Sequence, residues 1–211
     1  MIRRQSIRNK IAQDLHDNVG STLSSISVYS QVAKIYKQQE KQEALQDTLE
    51  KISATSSEMI SEMNDIVWAI NPRNDNMDKI LQRMESFARP LLAAQEIGFH
   101  FTYEPSIQQL NLEMTKRKNF YLIFKEAINN ALKYSGCKNI WVDITNHHHQ
   151  LQLTVKDDGK GFDIEGMKNV KTLSGNGLQN MTIRAKEMNG NCTVISEPAK
   201  GTSINLRFPI P

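Results

Sequence analysis

The feature that most constrains this chain is a run of apolar residues at alternating four- and three-residue intervals. Positions 45, 49, 52, 56, 59, 63, 66 and 70 carry Leu, Leu, Ile, Ser, Met, Met, Ile and Ile. That spacing is the seam of a coiled coil or helical bundle, broken only by Ser56. A similar seam runs through Ala12, Leu15, Val19, Thr22, Ile26, Tyr29, Ala33 and Tyr36, and the polar stretch KQQEKQE between the two suits a short turn. The pattern predicts an antiparallel helical hairpin. A lone hairpin leaves its seam half covered, so pairing with a second copy is expected: a homodimer through residues 5–70, closing a four-helix bundle. His16 stands beside Leu15, about 100° further round the helix, and so flanks the seam within reach from outside. Asp17 follows it directly, with Gly20 and Ser21 close behind.

The bulk numbers exclude several classes. At 211 residues, with 39% hydrophobic and 23% charged residues, the chain has enough apolar surface for one large domain or two small ones. A net charge of +3 is too small to argue for nucleic acid. Arg3, Arg4, Arg8 and Lys10 form a basic cluster that reads as a solvated helix start before it reads as a lipid contact. The two cysteines, Cys137 and Cys192, make no disulfide framework and no metal spacing, which fits a reducing compartment. No apolar run nears the roughly 20 residues of a membrane helix. The helical pattern begins almost at residue 1, so a segment of a longer protein is expected, with any membrane contact made through parts upstream.

After the second helix the pattern changes. NPRNDNMD, residues 71–78, follows the last seam residue and reads as a hinge. It sets the expected domains at 1–73 and 74–211. Residues 79–96 read as a helix interrupted or kinked at Pro90. GFHFTYE alternates like a strand, and 114–134 is a long helix. NIWVDIT and QLQLTVKDD form a strand pair across the polar turn NHHHQ, where three adjacent histidines read as solvated. A glycine-punctuated stretch, 159–177, leads into a helix over 178–189. CTVISE and TSINLRFP close the chain as two strands, the second ending before Pro209. This is an α+β layer of helices on one mixed sheet.

Four short motifs in that half carry chemistry. In FKEAINNALKYS, Glu126 and Asn130 share a helix face, and Lys133 lies about one turn beyond Asn130. An amide oxygen can ligate Mg²⁺, and a lysine can meet phosphate as a point charge. In DDGKGF, Asp157 ends a strand, and Gly159 and Gly161 permit close backbone approach. SGNGLQNM places Gly175, Gly177 and Leu178 at a helix start whose N–H groups suit phosphate. KGTSINLRF opens the last strand with Thr202. Each motif alone is an ordinary turn or a solvated face.

In this order the four resemble the ATP-binding domain shared by histidine kinases, gyrase, Hsp90 and MutL, over roughly residues 95–209. IAQDLHDNVGSTLSSI is similar to the phosphoacceptor helix of bacterial sensor histidine kinases with the motif LHDxxG, and MNDIVWAINPRNDNM to the end of their second dimerisation helix. The resemblance implies a helical hairpin plus a two-layer α+β sandwich that uses ATP and Mg²⁺. It implies that His16 is phosphorylated, with Asp17 fixing its tautomer, before transfer to a response regulator receiver domain. It implies Asn130 as the Mg²⁺ ligand, Glu126 ordering the metal's water or the attacking group, and Lys133 and Tyr134 beside phosphate and ribose. A histidine is usual where Tyr134 stands. Asp157 would take the adenine amino group, Gly159 and Gly161 shape the pocket, Thr202 act through water, and Gly175, Gly177 and Leu178 frame the lid. Ser21 departs from the best-known branch, where a Gln five residues after the histidine serves regulator dephosphorylation. Phosphatase activity toward the partner is therefore expected to be weak or to use another residue. An ATPase of the same fold and a non-catalytic signalling scaffold are the rival readings.

Overall fold

The computed structural model describes residue 20, residues 22–164 and residues 176–211. His16, Asp17, Ser21 and Gly175 lie outside the described residues. The chain divides into two compact units, Met1–Trp68 and Ala69–Pro211. That division falls five residues before the expected boundary between 73 and 74.

In the first unit, helix α1 reaches residue 38, a turn covers residues 39–41, and α2 is Gln42–Ile70. The turn is closed by Lys41 N–H donating to the Tyr36 carbonyl and Glu40 N–H to that of Lys37. Glu40 sits in the left-handed region at φ 55°, so it ends α1 in the way glycine more often does. Within this unit Ala33 and Thr48 are buried. A further apolar set (Val28, Ile35, Leu49, Ile60 and Val67) stays exposed. No helix among the described residues is long and apolar enough to cross a membrane.

The second unit opens with a 3₁₀ turn, Pro72–Asn74, capped by the Asn71 side chain, which accepts from Arg73 N–H. Helix α3, Met77–Ala93, is capped by Asn76. Then come β1 (Gly98–Tyr103), a 3₁₀ turn, α4 (Met114–Asn130), a π-helical turn (Ala131–Ser135), β2 (Asn139–His147) and β3 (Gln150–Asp157). Helix α5 (Asn176–Glu187), β4 (Asn191–Ser196) and β5 (Thr202–Pro209) complete it. The sheet order is β1-β2-β3-β5-β4, with β1 parallel to β2 and the other pairs antiparallel. Alternation in the strands sends one face inward. Ile140, Val142 and Ile144 of β2, Leu151, Leu153 and Val155 of β3, and Ile204, Leu206 and Phe208 of β5 are all buried. α3 and α4 contribute Ile80, Met84, Phe120 and Phe124 to the same core, and Phe120 meets Phe208 edge-on at 5.6 Å.

Three expectations change. Pro90 lies inside α3 and does not interrupt it. It sits in the last turn on an exposed stretch, where the missing N–H leaves only the exposed Ser86 without its bond. β5 includes Pro209, paired with Gln150 at the strand end, and its carbonyl takes the Lys116 ammonium at 2.8 Å. The long helix does not continue in α form past Asn130 but widens into the π-helical turn, ended by Gly136 at φ 62°.

The linker is also more ordered than its composition suggests. Arg117 of α4 is 1% exposed and donates to the carbonyls of Ala69, Asn71 and Leu112 and to the Asp75 carboxylate. Residues 69–75 are thereby fastened to α4 by one buried guanidinium.

Candidate functional site

A cavity of about 230 Å³ opens in the second unit where α4, the π-helical turn, the β3 end, the α5 start and β5 meet. Asn130, Tyr134, Asp157, Gly161, Gly177, Leu178 and Thr202, all expected from the sequence, line it. Glu126 stands behind Asn130 and accepts its amide N–H at 3.2 Å. That bond leaves the Asn130 amide oxygen available, the hard donor that Mg²⁺ prefers.

Close backbone approach explains the glycines. A Cβ on Gly177 would fall 2.1 Å from Glu126 Oε1, so a side chain there would displace the Glu126 carboxylate from its place beside Asn130. A Cβ on Gly161, at φ +58°, would fall 2.0 Å from the Glu197 carbonyl oxygen. Gly159 does not line the cavity. It packs on the end of the π-helical turn, where a Cβ would meet the Ser135 carbonyl at 2.5 Å.

Adjacent aspartates take different work. Asp157 is buried at the cavity and accepts the Gly159 N–H at 2.9 Å. Burial pushes its carboxyl up from the ordinary value, and the backbone N–H groups of Gly159 and Thr202 pull the other way. Asp158 turns out of the cavity and ties the start of β2. It takes the N–H of Lys138 at 2.8 Å, and the N–H and side-chain amide of Asn139, each at 2.9 Å. Those bonds, the Asn139 side chain first, hold its carboxyl below the usual value.

Lys133 is exposed and is not among the cavity-lining residues, whereas Tyr134, also exposed, is. The widened turn after Asn130 spoils the one-turn spacing from which Lys133 was placed. Sequence reasoning missed the cavity's apolar wall: Ala127 and Ala131 from the helix, Phe162 and Ile204 from the sheet side. It also missed Lys160. Phe162 and Lys160 both stand in the DDGKGF motif, which is the signal that could have found them. No group of three or more His, Cys, Asp or Glu among the described residues is placed to hold a metal ion.

An apolar slot with one buried carboxylate, beside an amide–carboxylate pair at the end of α4 that faces the start of α5, suits a flat heterocycle with a polar tail. Comparisons agree with that reading. Residues 115–211 match the family model described as histidine kinase-, DNA gyrase B- and HSP90-like ATPase, and residues 8–75 the model described as histidine kinase. Sensor histidine kinase YdfH of Bacillus subtilis (strain 168) is 26% identical over 211 residues, covering 98% of this chain and 50% of the relative. Sensor histidine kinase DesK of the same organism is 29% identical over 206 residues, covering 96% and 50%. The chain thus spans about half the length of these curated relatives. Among solved structures, Acinetobacter baumannii histidine kinase AdeS shares the fold. Its TM-score is 0.58 at 12% identity, over 92% of this chain and 98% of that one.

Proposed function

We propose that this chain, which belongs to the sensor histidine kinase family, is an ATP-dependent core that phosphorylates itself on His16 and passes the phosphoryl group to an aspartate of a response regulator. The observation that carries the reading is one cavity in which Asn130, Asp157, Leu178 and Thr202 converge from four separate segments.

In this reading Asp157 accepts the amino group of adenine, and the apolar wall takes the ring. Asn130 holds Mg²⁺ through its amide oxygen, Glu126 orders the metal's water shell or the attacking group, and Tyr134 stands by the ribose. Bound Mg²⁺ neutralises charge on the phosphate oxygens. Asp17 holds the His16 tautomer whose free ring nitrogen attacks. The N–P bond forms as the bond to the ADP oxygen breaks. Gly175 and Gly177 frame a lid over the triphosphate. The exposed apolar set on α1 and α2 supports a homodimer through residues 5–70. We place the core on the cytoplasmic side of a membrane-bound sensor, with domains at 1–73 and 74–211.

Incubation with γ-labelled ATP and a receiver domain tests this. A labelled chain followed by a labelled receiver is expected. Steady phosphate release with no phosphoprotein would instead favour an ATPase of the same fold, and calorimetry showing no ATP binding would favour a scaffold.

Asp157→Asn is expected to weaken ATP binding about 10- to 100-fold, the range of a hydrogen bond to a charged group, with unchanged circular dichroism. Affinity read by calorimetry also carries a pH signature. The buried carboxyl protonates at a higher pH than an exposed one, so binding weakens earlier as pH falls. For the empty fold the sign is opposite: a raised pKa contributes stability below the unfolded value, and it is lost as pH rises through the folded one.

Ser21 carries a further expectation. Its hydroxyl lacks the paired donor and acceptor of an amide, so Ser21→Gln should speed dephosphorylation of a phosphorylated regulator. A wild type already as fast as the variant would overturn this.

A further inference from the structure

Ser196 ends β4, is buried, and has three hydroxyl contacts, each at 3.0 Å. They are the Gly201 carbonyl, the Phe162 backbone N–H and the Thr202 hydroxyl. Chemistry fixes the roles. A carbonyl only accepts, a backbone N–H only donates, and a hydroxyl has one proton and two lone pairs. The Ser196 proton therefore goes to Gly201, and one lone pair takes the Phe162 N–H. The remaining lone pair faces Thr202, so Thr202 must be the donor in that contact.

Thr202 lines the cavity. With its proton turned to Ser196, its hydroxyl has only lone pairs left for a ligand. Asp157 lies directly opposite Thr202 in the β3–β5 register. Residues so paired share one face of the sheet. When ionised, Asp157 is likewise an acceptor only.

We propose that Ser196 is a positioning residue for base specificity: by taking the Thr202 proton it makes the Asp157–Thr202 edge of the cavity a pair of acceptors. Such a pair receives the amino donor of a 6-amino purine and opposes the carbonyl oxygen of a 6-oxo purine. The inference rests on the reading of this cavity as the ATP site. It adds a residue that touches no ligand and acts through Thr202.

ATP and inosine triphosphate differ at that ring edge, so calorimetric affinities for both, on the full chain, give the test. Wild type is expected to favour ATP. In Ser196→Ala the Thr202 hydroxyl is free to rotate and donate to a 6-oxo group, and the ratio of affinities is expected to fall about fivefold. A merely structural role would weaken both nucleotides alike and leave the ratio at its wild-type value, which would overturn the proposal. Thr202→Val serves if Ser196→Ala does not fold, because it removes the acceptor outright. It should lower the ATP affinity without lowering that for inosine triphosphate, and equal loss of both would count against the proposal. In the double variant, Ser196→Ala should change the ratio no further. A wild type that binds neither nucleotide overturns the ATP-site reading itself, an outcome distinct from an unchanged ratio.

Discussion

A His16→Ala chain incubated with γ-labelled ATP should take up no acid-labile, alkali-stable phosphate, while the wild-type chain does. The expectation is all-or-none because the proposed reading makes the imidazole the attacking group, and alanine offers no atom to form the N–P bond. The chemical signature matters as much as the loss. A phosphate on a histidine nitrogen hydrolyses in acid and survives base, whereas an ester on serine or threonine does the reverse. ATP affinity should be unchanged in this variant, since among the described residues every one that lines the cavity belongs to the segment after Ala69. Normal labelling of His16→Ala would remove His16 as the acceptor while leaving the nucleotide site standing, so the two halves of the functional reading fail separately.

Arg117→Met should lower the stability of the ATP-binding unit by about 3 kcal/mol, the scale seen when a buried charged network loses its central partner. Methionine keeps much of the apolar stem, so the loss isolates the guanidinium. Asp75 is half exposed and can rehydrate, but the carbonyls of Ala69 and Leu112 lose a buried donor. Leaving such acceptors unmade costs more than the bond contributed. Arg117→Lys should recover only part of the loss, because one ammonium cannot present the planar fork that reaches several acceptors at once. Urea unfolding followed by tryptophan-independent circular dichroism reads the change as a lower midpoint with an unchanged slope. A wild-type midpoint in Arg117→Met would show that residues 69–75 hold to α4 without it.

The sequence made local periodicity and short-range motifs readable, and left long-range choices hidden. Strand alternation was legible because one sheet face is covered and the other is wet, as Ile140, Val142 and Ile144 show against exposed Trp141 and Asp143. The Glu126–Asn130 pair was legible because four residues bring side chains together on any α-helix. The π-helical turn was not. ALKYS continues a helical pattern in composition, and the Gly159 backbone that packs on the end of the turn at Ser135 comes from far along the chain. Lys133 stands in that turn, exposed and outside the cavity lining. Arg117 carries no local mark of burial in TKRKNF, since its partners stand more than 40 residues away for all but the Leu112 carbonyl. Ser196 gave no signal either: a serine closing a strand is common, and its worth depends on a turn that returns Gly201 and Thr202 beside it.

The β2–β3 hairpin carries a consequence of another kind. Its two turn residues, His148 and His149, both stand in the left-handed region, at φ 51° and 58°. Asparagine followed by glycine fits such a turn with less steric conflict, and an L-residue with a bulky side chain gives up about 1 kcal/mol at each position. The turn is solvent-facing and stands at the opposite end of β3 from Asp157, the cavity residue that closes that strand. Anyone seeking a hardier version of this protein for heat or long storage has a place to begin that leaves the cavity alone.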